Sequence, residues 1–212
     1  VNSTNGIVII GNYVGTDAAG TAALGNAGSG IYLNASATAT IGGTTVPERN
    51  LISGNAIGVR ITGETADSNL VRGNYIGTSF DGSAAIANAA EGVLIDGGAD
   101  HNVIGGSAAG ANVISGNASH GVHVSGAATT SAMVSHNVIG TNAARNAPLG
   151  NGGDGVRVTD ADYGGPGNTT DISNNTIGGN AGDGVRLINA NSWTVRSNYI
   201  GTDSTRTFDL GN

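Results

Sequence analysis

The chain contains no cysteine, no lysine and only three prolines among its 212 residues. Without cysteine it can form neither disulfide bonds nor thiolate metal sites. Its 15 acidic residues outnumber its 8 basic residues, all of which are arginine, and leave a formal net charge of −7. Because nucleic acids and anionic lipid surfaces bind basic faces, we expect neither of them as a partner.

Long apolar runs are missing as well. No segment approaches the roughly 20 residues that span a membrane, so we expect no membrane insertion. The 38 glycines have no Gly-X-Y period, which excludes collagen, and regularly placed Val, Ile and Leu residues between them argue against a flexible linker. Low charge and the absence of cysteine favour an extracellular or cell-surface location.

What the sequence does contain is a strict internal repeat. A tag of the type Leu-Gly-Asn recurs at intervals of 62, 63 and 61 residues, at positions 24–26, 86–88, 149–151 and 210–212. A tag of the type Gly-Asn-Tyr-Val-Gly-Thr recurs in step with it, at positions 11–16, 73–78, 136–141 and 197–202. A fixed period of this length is typical of solenoid proteins.

A shorter period lies inside the long one. Tetrads of the type Gly-Val-X-Val begin every 28 to 34 residues, at positions 30, 58, 92, 121, 155 and 184. Their alternation of apolar and variable residues is typical of β-strands, and no segment has a convincing helical period. Each long repeat therefore contains two coils, one of which carries a surface loop.

These periods predict an all-β protein, a right-handed parallel β-helix of about six coils with two coils per repeat of about 62 residues. Each strand would pair with its equivalent one coil above, about 4.8 Å away. The right hand rests on the general preference of crossover connections and on the family resemblance given below. We expect residues 1–212 to form one segment, with a partial coil over 1–26 and repeats over approximately 27–88, 89–151 and 152–212.

The phase of the tetrads also suggests a segment of a longer array, because the chain starts and stops within a coil. Bare coil ends expose strand edges, so end-to-end self-association is a further expectation.

Asparagines recur at fixed places in the repeat and predict stacked amide columns. Side chains in such columns can hydrogen-bond to one another along the axis, donor to acceptor. The sequence predicts three separate series, namely Asn12, Asn74, Asn137 and Asn198, then Asn50, Asn112 and Asn175, and then Asn55, Asn117 and Asn180.

A family resemblance rests on these motifs. The tetrads, the Ile-Ser-Gly-Asn turns at 52–55 and 114–117 and the Asn-Tyr-Ile-Gly-Thr tag at 74–78 resemble the right-handed parallel β-helix repeats of the pectin-lyase-like superfamily. The resemblance covers nearly the whole chain and implies the fold. It does not imply one activity, because that superfamily includes polysaccharide lyases, glycoside hydrolases, epimerases, phage tailspikes and non-catalytic surface proteins.

Candidate site residues lie in two columns that vary while their neighbours stay apolar. The columns are the third residue of each tetrad and the residue before each tetrad glycine, and they gather Glu91, His120, His123, Asp154, Arg157, Asp183 and Arg186. We expect all of these on the outer face of one sheet. Lyases and hydrolases of the superfamily that this chain resembles carry their acids, bases and metal ligands on the outer face of one sheet.

Two interpretations of this face remain open. Asp154 and Asp183 in adjacent coils suit paired-carboxylate catalysis or a shared Ca²⁺, with His120 and Arg157 completing a catalytic set. Saccharide binding would add Glu91, His123, Arg186 and the single tryptophan, Trp193, as a stacking platform. The simpler alternative is a set of solvated ion pairs, because Asp-Gly-Val-Arg itself recurs at 154–157 and 183–186.

A second acidic group, Asp17, Asp81 and Asp203, follows the Gly-Thr tags. These residues are candidate Ca²⁺ ligands, or else turn formers that bond their own backbone. No other cofactor is expected.

The expected function is that of a non-catalytic structural or adhesive segment of a larger secreted or surface protein, in contact with glycans. The alternative is a polysaccharide lyase or glycoside hydrolase acting on an acidic polysaccharide through Asp154, Asp183, His120 and Arg157. A third interpretation is an excised or engineered solenoid that assembles only with itself.

Overall fold

The computed structural model describes residues 5–162, 165 and 169–212. Within these residues, 20 strands form three parallel sheets of seven, seven and six strands, each built from every third strand of the chain. The chain therefore winds into the predicted right-handed parallel β-helix, with one strand of each sheet in every coil.

The first sheet stacks two- and three-residue strands: β1 Val8–Ile9, β4 Thr40–Ile41, β7 Leu70–Val71, β10 Val103–Gly105, β13 Met133–Ser135, β16 Asp171–Ser173 and β19 Thr194–Arg196. The second stacks two-residue strands: β2 Tyr13–Val14, β5 Leu51–Ile52, β8 Tyr75–Ile76, β11 Val113–Ile114, β14 Val138–Ile139, β17 Thr176–Ile177 and β20 Tyr199–Ile200. The third holds the tetrads: β3 Ser29–Asn34, β6 Ile57–Thr62, β9 Val93–Asp96, β12 Val122–Ser125, β15 Val156–Thr159 and β18 Val185–Ile188. In the described part of the chain, two short 3-10 helices, Val46–Glu48 and Ala108–Gly110, lie between first- and second-sheet strands.

The register of the third sheet brings equivalent tetrad positions together, as predicted. Val122 pairs with Val93 on one side and Val156 on the other, so like side chains lie directly above one another. These inward valines and isoleucines are fully buried in the single core that runs along the axis. Burial of aligned β-branched side chains is what each coil cannot achieve alone, and it drives the stacking.

The asparagines form two long ladders at corners of the coil. In the first, each Nδ2 donates to Oδ1 of the next residue at 2.8–3.1 Å, through Asn12, Asn50, Asn74, Asn112, Asn137, Asn175 and Asn198. In the second the distances are 2.8–3.3 Å, through Asn26, Asn55, Asn88, Asn117, Asn151, Asn180 and Asn212. Amide stacking along the axis is thereby confirmed.

The predicted division of the first ladder into two separate series is wrong. Asn12 and Asn74 are not neighbours, because Asn50 lies between them and bonds to both. A hairpin falls in every second interval between rungs, joined by a 3-10 helix in the first two of these intervals, so the rungs are alternately far apart and close in sequence. A search at the period of the long repeat therefore finds only every second rung.

The surface loops emerge at every second coil, as predicted, and each is a hairpin. Antiparallel bridges close them at Thr16–Ala23, Thr78–Ala85, Thr141–Pro148 and Thr202–Asp209. The first hairpin folds back over the second sheet, where Gly20 has a φ of +67° and a Cβ would lie 2.7 Å from Leu51 Cδ2. Leu51 is consequently only 2% exposed although it lies outside the axial core.

Candidate functional site

The third-sheet face, defined as Glu91, His120, His123, Asp154, Arg157, Asp183 and Arg186, is one continuous outer surface. Strand register places His123 beside Arg157 and Arg157 beside Arg186 in successive coils. His123 points outward because Val122 and Val124 on either side of it are fully buried. The structure thus brings together the residues that the sequence assigned to this face.

His120 is a neutral imidazole in the middle of the face. Its Nδ1 accepts a hydrogen bond from the backbone N–H of Asp154 at 2.9 Å, so this nitrogen carries a lone pair and the ring proton is on Nε2. Burial lowers the pKa of His120, and the neighbouring Asp154 carboxylate only partly opposes this effect. The 3.4 Å approach of Nδ1 to Asp154 Oδ2 is therefore not an ion pair at neutral pH.

His123 connects three coils on the same face. Its ring meets the His120 ring edge-on, with 5.3 Å between centroids, and its Nε2 lies 3.4 Å from the hydroxyl of Thr159. On the other side, Nδ1 faces Glu91 Oε1 at 3.9 Å, and the imidazole holds the pKa of Glu91 below its ordinary value. Glu91 also accepts a hydrogen bond from Ser119 at 3.3 Å.

Asp154 and Asp183 occupy equivalent positions in neighbouring coils but have different environments. The Asp154 side chain is 4% exposed, whereas that of Asp183 is 62% exposed. Asp154 Oδ1 accepts the backbone N–H of Asp183 at 2.8 Å, and its Oδ2 lies 3.4 Å from Arg157 Nη1. The Asp154 carboxylate therefore links two coils, while the Asp183 carboxylate lies in solvent 3.6 Å from Arg186.

The third sheet carries a further charged pair that the two candidate columns do not contain. Arg60 Nη2 contacts Asp96 Oδ2 at 2.7 Å across adjacent coils, and the guanidinium also lies 5.9 Å from the Tyr32 ring centre. Asp96 occupies the next outward position beyond the tetrad, in register with Thr62. Side chains of a strand alternate between the two faces, so continuing the alternation two residues past Leu94 predicts that Asp96 lies on the same outer face.

Trp193 is half-buried and packs against the axial core. Its indole Nε1 donates to the carbonyl of Ala161 at 2.8 Å. This contact fixes one edge of the ring to the preceding coil, at a position outside the third-sheet face.

The acidic residues after the Gly-Thr tags lie in separate hairpins, and each binds its own loop. Asp17 Oδ1 accepts the N–H groups of Thr21 and Ala22 at 2.7 and 3.0 Å, and the bond from Ala22 contributes most to the lowered pKa of Asp17. Asp81 accepts hydrogen bonds from two serine hydroxyls. Asp203 accepts the N–H groups of Thr207 and Phe208 at 2.7 and 2.9 Å.

Among the described residues, no three His, Cys, Asp or Glu side chains come together as metal ligands. In the same part of the chain, no helix is both long enough and apolar enough to cross a membrane. The third-sheet face offers arginine N–H donors, the two imidazole rings of His120 and His123, and the solvent-exposed carboxylate of Asp183.

No protein-family model matches the chain, and no curated protein matches its sequence.

Proposed function

We propose that this chain is a non-catalytic, rod-like segment of a larger secreted or surface protein, and that its third-sheet face contacts glycans. We further propose that its repeats belong with those of the pectin-lyase-like superfamily, on the motifs at 52–55, 74–78 and 114–117. The three parallel sheets support this kinship at the level of fold.

One observation carries the proposal: the carboxylate best placed for chemistry is already used to join coils. A general acid or nucleophile must reach the substrate within hydrogen-bond distance. Asp154 is buried and accepts the backbone N–H of Asp183 at 2.8 Å. Asp154 therefore has a structural role, whereas Asp183 lies beside β18, the edge strand of the sheet, and is exposed there.

Glycan contact is supported by two arginine side chains on the same face. The Arg186 side chain is 49% exposed, and the Arg157 side chain is 27% exposed. Guanidinium groups bind sugar carboxylates through two parallel hydrogen bonds. Spaced one coil apart, they match a repeating acidic polymer better than a single small ligand.

A glycan-array experiment tests this function. The wild-type protein is expected to retain acidic glycans, and the double variant Arg157→Gln/Arg186→Gln to lose most of that retention. Arg206→Gln, an exposed arginine in a hairpin, is the matched control and should bind like wild type. Equal retention by all three proteins, or by none, would contradict the proposal.

The alternative function, a polysaccharide lyase or hydrolase, is favoured by one observation, namely the contact of His120, Asp154 and Arg157 within one cluster. It requires turnover of pectate- or alginate-like polymers, lost in both Asp154→Asn and Asp183→Asn. Our proposal expects the polymer to remain intact after long incubation with the wild-type protein. Release of unsaturated or reducing ends would replace our proposal with the enzymatic one.

End-to-end association is part of the proposal for the isolated segment. Apolar side chains in the terminal coils are exposed, including Val8 at 65% and Leu187 at 41%. Stacking a second copy on these coils would bury them and pair the strand edges. Light scattering should then show a mass that rises with concentration, and a constant monomer mass would remove this part of the proposal.

A further inference from the structure

A buried carboxylate lines a pocket on the first sheet, away from the third-sheet face, and one of its oxygens has no hydrogen-bond partner among the described residues. The pocket has a volume of about 240 Å³ and is lined by Met133, Thr170, Asp171, Thr194 and Arg196, among others. Asp171 lies in β16, in register with Met133 in the coil before it and Thr194 in the coil after it. The pocket is therefore formed by three successive coils.

The Asp171 carboxylate is held firmly on one side only. Its Oδ2 accepts hydrogen bonds from Ser173 Oγ at 2.7 Å and from Arg196 Nη2 at 2.9 Å. Its Oδ1 is buried and has no hydrogen-bond partner among the described residues. The side chain as a whole is 8% exposed.

This arrangement needs an explanation, because buried polar atoms in folded proteins are almost always hydrogen-bonded. The strand position itself does not require an acid, since the equivalent positions of the coils below hold Val103 and Met133. The hydroxyl of Thr170 does not satisfy Oδ1, because it donates to the carbonyl of Ser192 at 2.7 Å. A ligand that donates a hydrogen bond into the pocket would complete the site.

We propose that the Asp171 pocket binds one neutral pyranose unit of a glycan, with a sugar hydroxyl donating to Asp171 Oδ1 and a neighbouring hydroxyl accepting from Arg196.

Neutral hydroxyl groups fit this pair better than an ion does. Asp171 and Arg196 already neutralise each other, so a cation placed on Oδ1 would be repelled by the guanidinium and an acidic sugar by the carboxylate. A hydroxyl both donates and accepts, which is what an acceptor and a donor side by side require. The Met133 side chain supplies an apolar surface for the C–H groups of the ring.

The size of the pocket agrees with a single sugar unit. Its volume of about 240 Å³ lies below the range of about 300–1,000 Å³ that takes drug-sized ligands. An extended oligosaccharide would therefore place one unit here and run over the outside of the first sheet. This inference rests on the glycan contact of the proposed function and assigns it a second site.

The test is an NMR titration of the whole chain with methyl glycosides of glucose, galactose and mannose, with galacturonate and calcium chloride as separate probes. We expect at least one neutral glycoside to shift the backbone amides of Met133, Asp171 and Thr194, and neither ionic probe to do so. Asp171→Asn and Arg196→Gln should each weaken binding about tenfold or more. Asp209→Asn, the same change at an exposed aspartate of the last hairpin, should bind like wild type.

Arg196→Gln keeps the test decisive even if Asp171→Asn does not fold, because the Arg196 side chain is 60% exposed. The inference falls if no neutral glycoside shifts these amides, if Arg196→Gln binds like wild type, or if calcium or galacturonate is the better ligand. Array binding that depends on Arg157 and Arg186 but survives both pocket variants would leave the proposed function standing without this site. Glycoside binding in the pocket without array binding would support this site and contradict glycan contact at the third-sheet face.

Discussion

The asparagine corners and the third-sheet face are built on the same coils but follow opposite rules. At the corners every coil supplies an asparagine, and each side-chain amide donates a hydrogen bond to the amide oxygen of the asparagine in the next coil. On the face, register places different residues side by side, such as Leu94, His123 and Arg157. Identity from coil to coil therefore indicates a structural role, whereas variation at an outward position indicates a surface available for recognition.

The difference is sharpest between the two copies of Asp-Gly-Val-Arg. Asp154 is buried and bonded to the next coil, and Asp183 is exposed. The local sequence is the same, but β18 is the edge strand of the third sheet, so no following coil covers Asp183 among the described residues. Motif repetition alone cannot assign chemistry in a solenoid.

The largest effect should come from breaking a ladder. Asn112 is fully buried; its Nδ2 donates to Asn137 Oδ1 and Val71 O, and its Oδ1 accepts from Asn74. Asn112→Ala leaves several buried donors and acceptors without hydrogen-bond partners. We therefore expect a loss of about 3–5 kcal/mol in the free energy of unfolding, measured in urea. Asn34→Ala, an exposed asparagine, should change it by less than about 0.5 kcal/mol. Similar losses in both variants would erase the distinction between corner and surface.

A smaller effect should separate the two aspartates. Asp154→Ala removes the acceptor of the Asp183 N–H and the carboxylate partner of Arg157, so we expect a loss of about 2 kcal/mol. Asp183→Ala removes only an exposed ion pair and should be close to neutral. Thermal and urea unfolding of both variants measures this, and the reverse order of stability would show that the two environments are assigned incorrectly.

The pH dependence of stability tests the neutral state of His120. Because burial lowers its folded pKa beneath 6.5, the unfolded state takes up a proton first as the pH falls, and stability decreases below about pH 6.5. In His120→Asn, Oδ1 can take the place of Nδ1 as acceptor of the Asp154 N–H without titrating. Between pH 7.5 and pH 5, the melting temperature of this variant should decline less than that of the wild-type protein, with the difference developing below about pH 6.5. Parallel declines in both proteins would contradict a depressed pKa at His120.

The smallest effect concerns the hairpins. Their acidic side chains accept hydrogen bonds from loop N–H groups, as Asp17 does from Thr21 and Ala22. They therefore stabilise the turn of the hairpin, just as the asparagine ladders stabilise the corners of the coil. Millimolar calcium should then leave the melting temperature unchanged. A rise with calcium that disappears in Asp17→Asn would instead make these residues cation ligands.

The sequence predicts the coil, its tetrads and the third-sheet face because all three follow one period. It misses features whose register depends on an insertion. Asn50 joins the ladder of Asn12 and Asn74 only because the hairpin and the 3-10 helix lie in the same interval. Asp171 belongs to neither candidate column, and its place beside Met133 emerges only when its strand is aligned across the longer connection between β15 and β16.

The central claim is that neighbouring half-repeats, and not whole repeats, lie directly on one another. The chain has no native cysteine, so two cysteines introduced by mutation are the only thiols that a crosslinker can join. Tyr32 and Arg60 are register partners, whereas Tyr32 and Leu94 are separated by the intervening coil. With a short thiol crosslinker, we predict rapid linkage of Tyr32→Cys/Arg60→Cys at about 5 Å and little linkage of Tyr32→Cys/Leu94→Cys at about 10 Å. Preferential linkage of the second pair would contradict the two-coil repeat on which the ladders, the third-sheet face and the Asp171 pocket all depend.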